Sequence, residues 1–204
     1  IYRPEDQGGL GMTYDNAYTR TVAEAWRDRK GNCLTMTAFY VAACKSIDLK
    51  VQYAEALNTN RWRRVGSTIR FERHVVSLVQ IPPTEDLVAD FLPQLRRRMG
   101  VYRVEVLTER RMKALFFANR AVEHMDEGRL DLALDFAQTS IRVDPQLSVG
   151  WNIRGVVERN SGSVEAAEHS FRTALRLEPQ DSTFLGNLET LLRVSGRDRE
   201  AAAL

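Results

Sequence analysis

The residues of this 204-residue chain best suited to covalent chemistry lie in its first half, around one cysteine. Cys33 directly follows Gly31 and Asn32, two residue types that let a chain turn sharply and cap a helix. We therefore expect Cys33 in the first turn of a helix. The exposed backbone amides and the positive end of the helix dipole stabilise a thiolate there, and the thiolate is the nucleophilic form of cysteine.

His74 and Asp90 supply the other two groups that such a nucleophile needs. A base must take the thiol proton, and an acceptor must hold that base in the right tautomer. His74 is the only histidine before residue 108 and opens an apolar run, whereas Asp90 ends the next short run. We expect a hairpin to set Asp90 beside His74. Asp86 and Glu85, in or next to the intervening turn, are alternative partners.

The second cysteine, Cys44, follows Val41, Ala42 and Ala43, which predicts a small core residue. On one helix, Cys33 and Cys44 would lie ~16 Å apart along the axis, too far for a disulfide, whose Cα atoms lie within ~7 Å. One cysteine and one histidine without a close pair also make a poor set of metal ligands. Neither a metal nor another cofactor is expected.

The elements that must position these groups follow from the apolar pattern. Helices are predicted over Tyr18–Arg29 and from Cys33 to Cys44. Strands are predicted over Lys50–Leu57, His74–Ile81, Asp86–Phe91 and Tyr102–Leu107. The run from His74 to Ile81 is apolar on both alternating faces, which is typical of a central strand. Helices first and antiparallel strands afterwards predict an α+β domain over residues 1–107.

The second half repeats itself every 34 residues. Members of this pattern are Gly128, Gly162, Gly196, Ala133, Ala167, Ala201, Pro145 and Pro179. A 34-residue period with these residue types is typical of tetratricopeptide (TPR) repeats. The glycine allows a tight turn between two helices, the alanine allows their close approach, and the proline ends the second helix. We expect an all-α domain over 108–204, with about two full repeats and a partial third.

Such repeats stack on their neighbours and form a concave surface. We therefore expect a protein or peptide partner at the repeats. The alternative is a short structural buttress for the first domain.

The first half resembles the transglutaminase-like (papain-like cysteine protease) superfamily over roughly residues 10–95. The nucleophile of that family lies in a Gly-x-Cys motif that opens a long apolar helix, as Gly31-Asn32-Cys33 does. The histidine of the family opens a strand, as His74 does, and its aspartate ends the next strand, as Asp90 does. The chain order is the same. Fusion to tetratricopeptide repeats also resembles a bacterial subgroup.

Two positions depart from the family pattern. Val75 and Val76 replace the aromatic residue that often follows the histidine, and Phe91 replaces the proline that commonly follows the aspartate.

The resemblance implies that Cys33 attacks an amide or peptide carbonyl and forms a thioester, with His74 moving the proton and Asp90 orienting the imidazole. The backbone amide of Cys33 and one side-chain donor, Asn32 or Trp26, would hold the oxyanion. Trp62 would wall the cleft or be an ordinary packing residue.

Two types of reaction share this acyl-enzyme. Water as the acceptor gives a peptidase or amidase, and a lysine amine gives a cross-linking transferase. We favour hydrolysis, because bacterial members of the superfamily are generally regarded as peptidases. The alternative from another class is a catalytically inactive scaffold that binds and assembles proteins.

The composition of the chain limits the classes of partner that we expect. The net charge is +2, and 44% hydrophobic with 27% charged residues is ordinary for a globular protein. The run Arg96–Arg98 has no interleaved aromatic residues, so nucleic acid is not expected. No apolar stretch approaches the ~20 residues of a membrane span. Since the chain opens with Ile1, we expect a removed upstream segment; a secretory or lipoprotein leader there would favour the cell envelope or periplasm over the cytoplasm.

Overall fold

The computed structural model describes residues 1–57, 61–65, 68–81, 86–92 and 103–204, with backbone alone for 61–65 and 68–72. The chain divides into two compact units, Ile1–Glu109 and Arg110–Leu204. Among the helices described, none has both the length and the apolar composition needed to cross a bilayer. The run Arg96–Arg98 and the alternative partner Glu85 lie outside the described residues.

The first unit combines short helices with strands. After a 3₁₀ helix its elements are β1 (Thr13–Tyr14), α1 (Val22–Asp28), β2 (Lys30–Gly31), α2 (Cys33–Lys45), β3 (Val51–Ala56), β4 (Arg61–Val65), β5 (Thr68–Glu72), β6 (Val75–Val79), β7 (Leu87–Ala89) and β8 (Val104–Leu107). A four-stranded sheet has the order β7-β6-β3-β8, and all of its pairings are antiparallel. β1 and β2 form a separate parallel pair. The helices and the antiparallel sheet make this unit α+β.

Helix α1 begins at Val22, later than the predicted Tyr18, because Thr21 caps it. The Thr21 hydroxyl accepts the backbone N–H of Glu24 at 3.3 Å, and the Glu24 carboxylate accepts the backbone N–H of Thr21 at 2.8 Å. This reciprocal capping fixes the first turn. The helix ends where Arg29 takes a left-handed backbone with φ of 54°.

Helix α2 begins at Cys33, as the sequence predicts. Val41 and Cys44 on this helix pack against Val51 of β3 and Val79 of β6. Cys44 is buried and, like Cys33, is a free thiol. Burial of this apolar face fixes α2 on the sheet, so that the first turn of the helix has a defined position.

The arginine-rich segment around Trp62, where no strand is predicted, forms a hairpin. β4 and β5 pair antiparallel, with Trp62 opposite Phe71 and Arg64 opposite Ile69. In β5, Ile69 and Phe71 alternate with polar residues, which favours a strand, whereas three arginines leave β4 without such an alternation.

From residue 109 onward the chain is helical. The helices are α3 (Glu109–Asp126), α4 (Leu130–Val143), α5 (Ser148–Asn160), α6 (Val164–Leu177), α7 (Ser182–Val194) and α8 (Asp198–Ala201). Consecutive helices form pairs, and the third pair is shortened. These are tetratricopeptide-like helical repeats.

The turn after the first helix of each pair explains the 34-residue period. Gly128, Gly162 and Gly196 have φ of 75°, 82° and 73°, a left-handed backbone that glycine adopts without strain. Close helix contact explains a further glycine, because a Cβ at Gly155 on α5 would lie 2.7 Å from ring atoms of Phe171 on α6. The left-handed turn recurs in all three helix pairs, so the period predicted the repeats correctly.

Candidate active site

The first turn of α2 holds Cys33 at the surface of the first unit, with its side chain partly exposed. The chain must turn tightly just before it, and a Cβ at Gly31 would lie only 3.0 Å from Cγ2 of Thr35. Glycine at this position therefore lets the strand β2 lead directly into the helix. The thiol is left at the positive end of the α2 dipole, which favours the thiolate.

His74 lies at the start of β6, and its imidazole is buried. Its backbone carbonyl accepts the N–H of Ala56 at 2.8 Å, which ties this residue to β3. The ring Nε2 lies 2.7 Å from Oδ1 of Asp90, which follows β7. The same carboxylate oxygen accepts the backbone N–H of Leu92 at 2.8 Å. Asp90 is thus held in place from two sides.

The segment after Asp90 is also fixed. The Tyr2 hydroxyl donates to the carbonyl of Phe91, and the Phe91 ring packs 5.2 Å from that of Tyr40 on α2. The buried phenylalanine ring therefore gives the backbone next to Asp90 an apolar anchor.

The thiol of Cys33 is in hydrogen-bonding contact with the imidazole of His74 and with the backbone N–H of Val75. Because Nε2 of His74 is engaged by Asp90, Nδ1 is the ring nitrogen that faces the sulfur. The Cys33 thiol and the Asp90 carboxylate therefore both contact the imidazole of His74.

Contacts among Cys33, His74 and Asp90 shift the pKa values of the thiol and the imidazole. Burial lowers the pKa of His74, but hydrogen bonds to Asp90 and Cys33 outweigh it and raise that pKa to about 9. Burial raises the pKa of Cys33, but hydrogen bonds from His74, the Val75 N–H and Tyr14 outweigh it, so the net shift is downward. Both shifts favour the thiolate–imidazolium pair over the neutral thiol and imidazole.

A tyrosine that sequence reasoning missed also contacts Cys33. Tyr14 lies on β1, whose parallel pairing places Tyr14 opposite Gly31. Its hydroxyl contacts both the thiol and the backbone N–H of Cys33. A strand of two residues has no periodicity to detect, so nothing local in the sequence pointed to it.

The two residues expected to donate to an oxyanion have other contacts. Asn32 caps α2, since its Oδ1 accepts the Thr35 N–H at 3.0 Å and its Nδ2 donates to the Thr19 hydroxyl at 2.8 Å. Trp26 is 49% exposed and stacks on Phe39, with ring centroids 5.8 Å apart. Both contacts are structural, because each joins the residue to a neighbouring element.

The remaining candidates of the first half lie elsewhere. The side chain of Trp62 is outside the described part of the chain. Asp86 is described and exposed, just before β7. Since Leu87 pairs with Val79, Asp86 lies at the end of β6 opposite to His74.

Comparison with known proteins adds little beyond the repeats. No protein-family model and no curated protein matches the chain. The second TPR domain of Spaghetti (RPAP3), solved with the HSP90 peptide SRMEEVD, is similar at 19% identity and a TM-score of 0.44, over 46% of this chain and 86% of that one. A MamA crystal structure is similar at 14% identity and 0.43, over 45% and 53%. The second TPR domain of human RPAP3, solved with an HSP70 peptide, is similar at 26% identity and 0.38, over 39% and 66%.

Proposed function

We propose that the repeats of this protein bind a protein or peptide and that Cys33 performs acyl transfer on an amide substrate. The observation that carries the catalytic part is the line of contacts from the Cys33 thiol through the His74 ring to the Asp90 carboxylate. The proposal includes a transglutaminase-like fold for the first unit. An α+β unit with the cysteine at the start of a buried helix is consistent with it.

The chemistry would run through two steps. The thiolate of Cys33 attacks the carbonyl carbon, and the C–S bond forms as negative charge moves to the oxygen. Nδ1 of His74 then gives its proton to the departing amine nitrogen, the C–N bond breaks, and a thioester remains. Water, activated by the now neutral His74, attacks the thioester and releases a carboxylic acid. An amine in place of water gives a transferred amide.

The binding part of the proposal rests on the repeats. Stacked helix pairs form extended concave surfaces that suit a protein segment. Successive pairs are joined here by a hydrogen bond of 2.8 Å from Asn187 on α7 to Asn152 on α5, the first helices of neighbouring repeats. Peptides selected from a displayed library on the full chain should compete with one another for one site, and Cys33→Ala should leave their binding unchanged.

The second candidate function is a scaffold without catalysis, in which the first unit keeps its fold and the repeats alone act. It is in keeping with the comparisons, since the two RPAP3 structures named above are TPR domains. The two candidates make opposite predictions for the thiol, because a scaffold has no need of a thiolate.

An acyl-trapping experiment separates them. The full chain is mixed with p-nitrophenyl acetate, and the acetylated residue is located by mass spectrometry, with Cys33→Ala and Cys44→Ala as a matched pair. Acyl transfer predicts rapid acetylation that Cys33→Ala abolishes and Cys44→Ala leaves intact. Slow acetylation at the rate of free cysteine, with no preference for Cys33, would favour the scaffold.

A further inference from the structure

We infer that Tyr14 is a catalytic residue, whose hydroxyl donates first to the Cys33 thiolate and then to the oxygen of the substrate carbonyl. The inference rests on the proposed acyl-transfer function. It assigns the oxyanion donor to a residue other than Asn32, whose side chain caps α2, and Trp26, whose ring stacks on Phe39.

The backbone on both sides of Tyr14 is fixed against the segment that leads to Cys33. The N–H of Thr13 donates to the carbonyl of Arg29 at 2.8 Å, and the N–H of Asp15 donates to the carbonyl of Gly31 at 3.0 Å. Tyr14 itself is opposite Gly31 in the register. Its side chain therefore reaches the first turn of α2 from a rigid base, which is what a catalytic donor needs.

The hydroxyl of Tyr14 has three partners. It contacts the Cys33 sulfur and the Cys33 backbone N–H, and it lies 3.2 Å from the Oδ1 of Asn16. The backbone N–H can only donate, so the phenol oxygen accepts from it and the phenol hydrogen is left for the sulfur or for Asn16. Accepting a hydrogen bond also makes the phenol a stronger donor, because linked hydrogen bonds polarise one another.

The hydrogen bond from the Cys33 N–H to Tyr14 affects which group can hold an oxyanion. The backbone amide of the nucleophile is a common oxyanion donor, but the N–H of Cys33 already donates to Tyr14. When Cys33 attacks, its negative charge leaves the sulfur and appears on the carbonyl oxygen nearby. The phenol hydrogen then rotates from the Cys33 sulfur to the carbonyl oxygen of the substrate. No proton is transferred, and the electron pair that forms the C–S bond comes from the thiolate.

The phenol is suited to remain a donor. Burial, together with the nearby Cys33 charge, holds the pKa of Tyr14 well above its usual value. The hydroxyl therefore stays protonated through the range in which His74 titrates, and it can donate whichever form His74 takes.

Two reactions at the same sulfur test the inference. Attack on p-nitrophenyl acetate creates an oxyanion and has a leaving group that needs no acid, whereas alkylation by iodoacetamide creates no oxyanion. Tyr14→Phe removes only the hydroxyl, and Tyr53→Phe, on β3, is the matched control. Both rates are measured on the full chain at a pH where Cys33 is fully ionised in each variant.

We expect Tyr14→Phe to lower the acetylation rate on the order of 10²-fold. The alkylation rate of fully ionised Cys33 should not change. Tyr53→Phe should change neither rate. Circular dichroism of each variant reports whether the chain is folded. Equal loss in both reactions, or no loss in either, overturns the inference. A wild-type protein that is not acetylated at Cys33 overturns the proposed function itself, so the two failures are distinguishable.

Discussion

Nε2 of His74 lies 2.7 Å from Oδ1 of Asp90, although sixteen residues separate them in the chain. Both side chains are 7% exposed, so their interaction is little screened by water. The carboxylate fixes the tautomer and orientation of the ring, and it stabilises the imidazolium that pairs with the Cys33 thiolate. We therefore expect the reactivity of the sulfur to depend on Asp90 through the ring of His74.

Asp90→Asn should weaken this effect. The amide keeps the shape of the carboxylate but loses its charge, so the pKa of His74 should fall and less thiolate should form near neutral pH. We expect acyl transfer to fall by on the order of 10²- to 10⁴-fold, the range for general acid–base catalysis. The rate of acetylation of Cys33 and the NMR titration of His74 measure the two effects.

Asp86→Asn is the control for that variant, because Asp86 lies on the same hairpin but is exposed and away from His74. Its acetylation rate and its His74 titration should match those of the wild type. If Asp86→Asn were as damaging as Asp90→Asn, the assignment of the orienting carboxylate would be wrong.

The pH dependence should differ between alkylation and amide turnover. The lowered pKa of Cys33 keeps the thiolate present below the usual thiol range, so iodoacetamide should react quickly at neutral pH. The pKa of His74 is raised to about 9, so the imidazolium that protonates a leaving amine is present below that value. Amide turnover should therefore decline as the pH rises through 9, while alkylation should not. Parallel rate profiles of the full chain would detect the difference, and coinciding declines would contradict it.

Asn32→Asp tests whether Asn32 acts as a helix cap. A carboxylate can still accept the Thr35 N–H, so α2 should remain capped. The added negative charge next to Cys33 should raise the thiol pKa and slow alkylation at neutral pH, with full recovery at high pH. An oxyanion donor would instead show a loss of acetylation that persists at high pH, and this outcome would restore Asn32 to the site.

Gly155→Ala should destabilise the repeats. Its Cβ would lie 2.7 Å from ring atoms of Phe171, a fully buried side chain, and such overpacking lowers the free energy of unfolding by about 1–3 kcal/mol. Gly186→Ala on α7 is the matched control, since its Cβ would meet nothing within 4 Å. This change should raise stability by up to about 1 kcal/mol, because alanine is the better helix former. Urea unfolding followed by circular dichroism measures both, and equal effects would contradict the packing of α5 on α6.

Much of the fold could be predicted because its signals are local. The left-handed turns at Gly128, Gly162 and Gly196 need only the residues around them, so a 34-residue spacing was enough to predict the repeats. Asn32 and Gly31 likewise place the start of α2 at Cys33 through contacts within a few residues. The start of α1 was missed, since the capping pair Thr21 and Glu24 lay inside a run that also fits a longer helix.

The sequence by itself determined which residues could do chemistry and where the helices turn. Tertiary structure decided which of those residues meet. The register of β6 and β7 brings Asp90, and not Asp86, to His74, and the parallel pairing of β1 with β2 brings Tyr14 to Cys33. The first depends on the register within a hairpin and the second on the pairing of segments 17 positions apart, and a register shift of one residue would turn the side chains to the other face. Such pairings are set by the packing of the whole unit, which no local pattern contains.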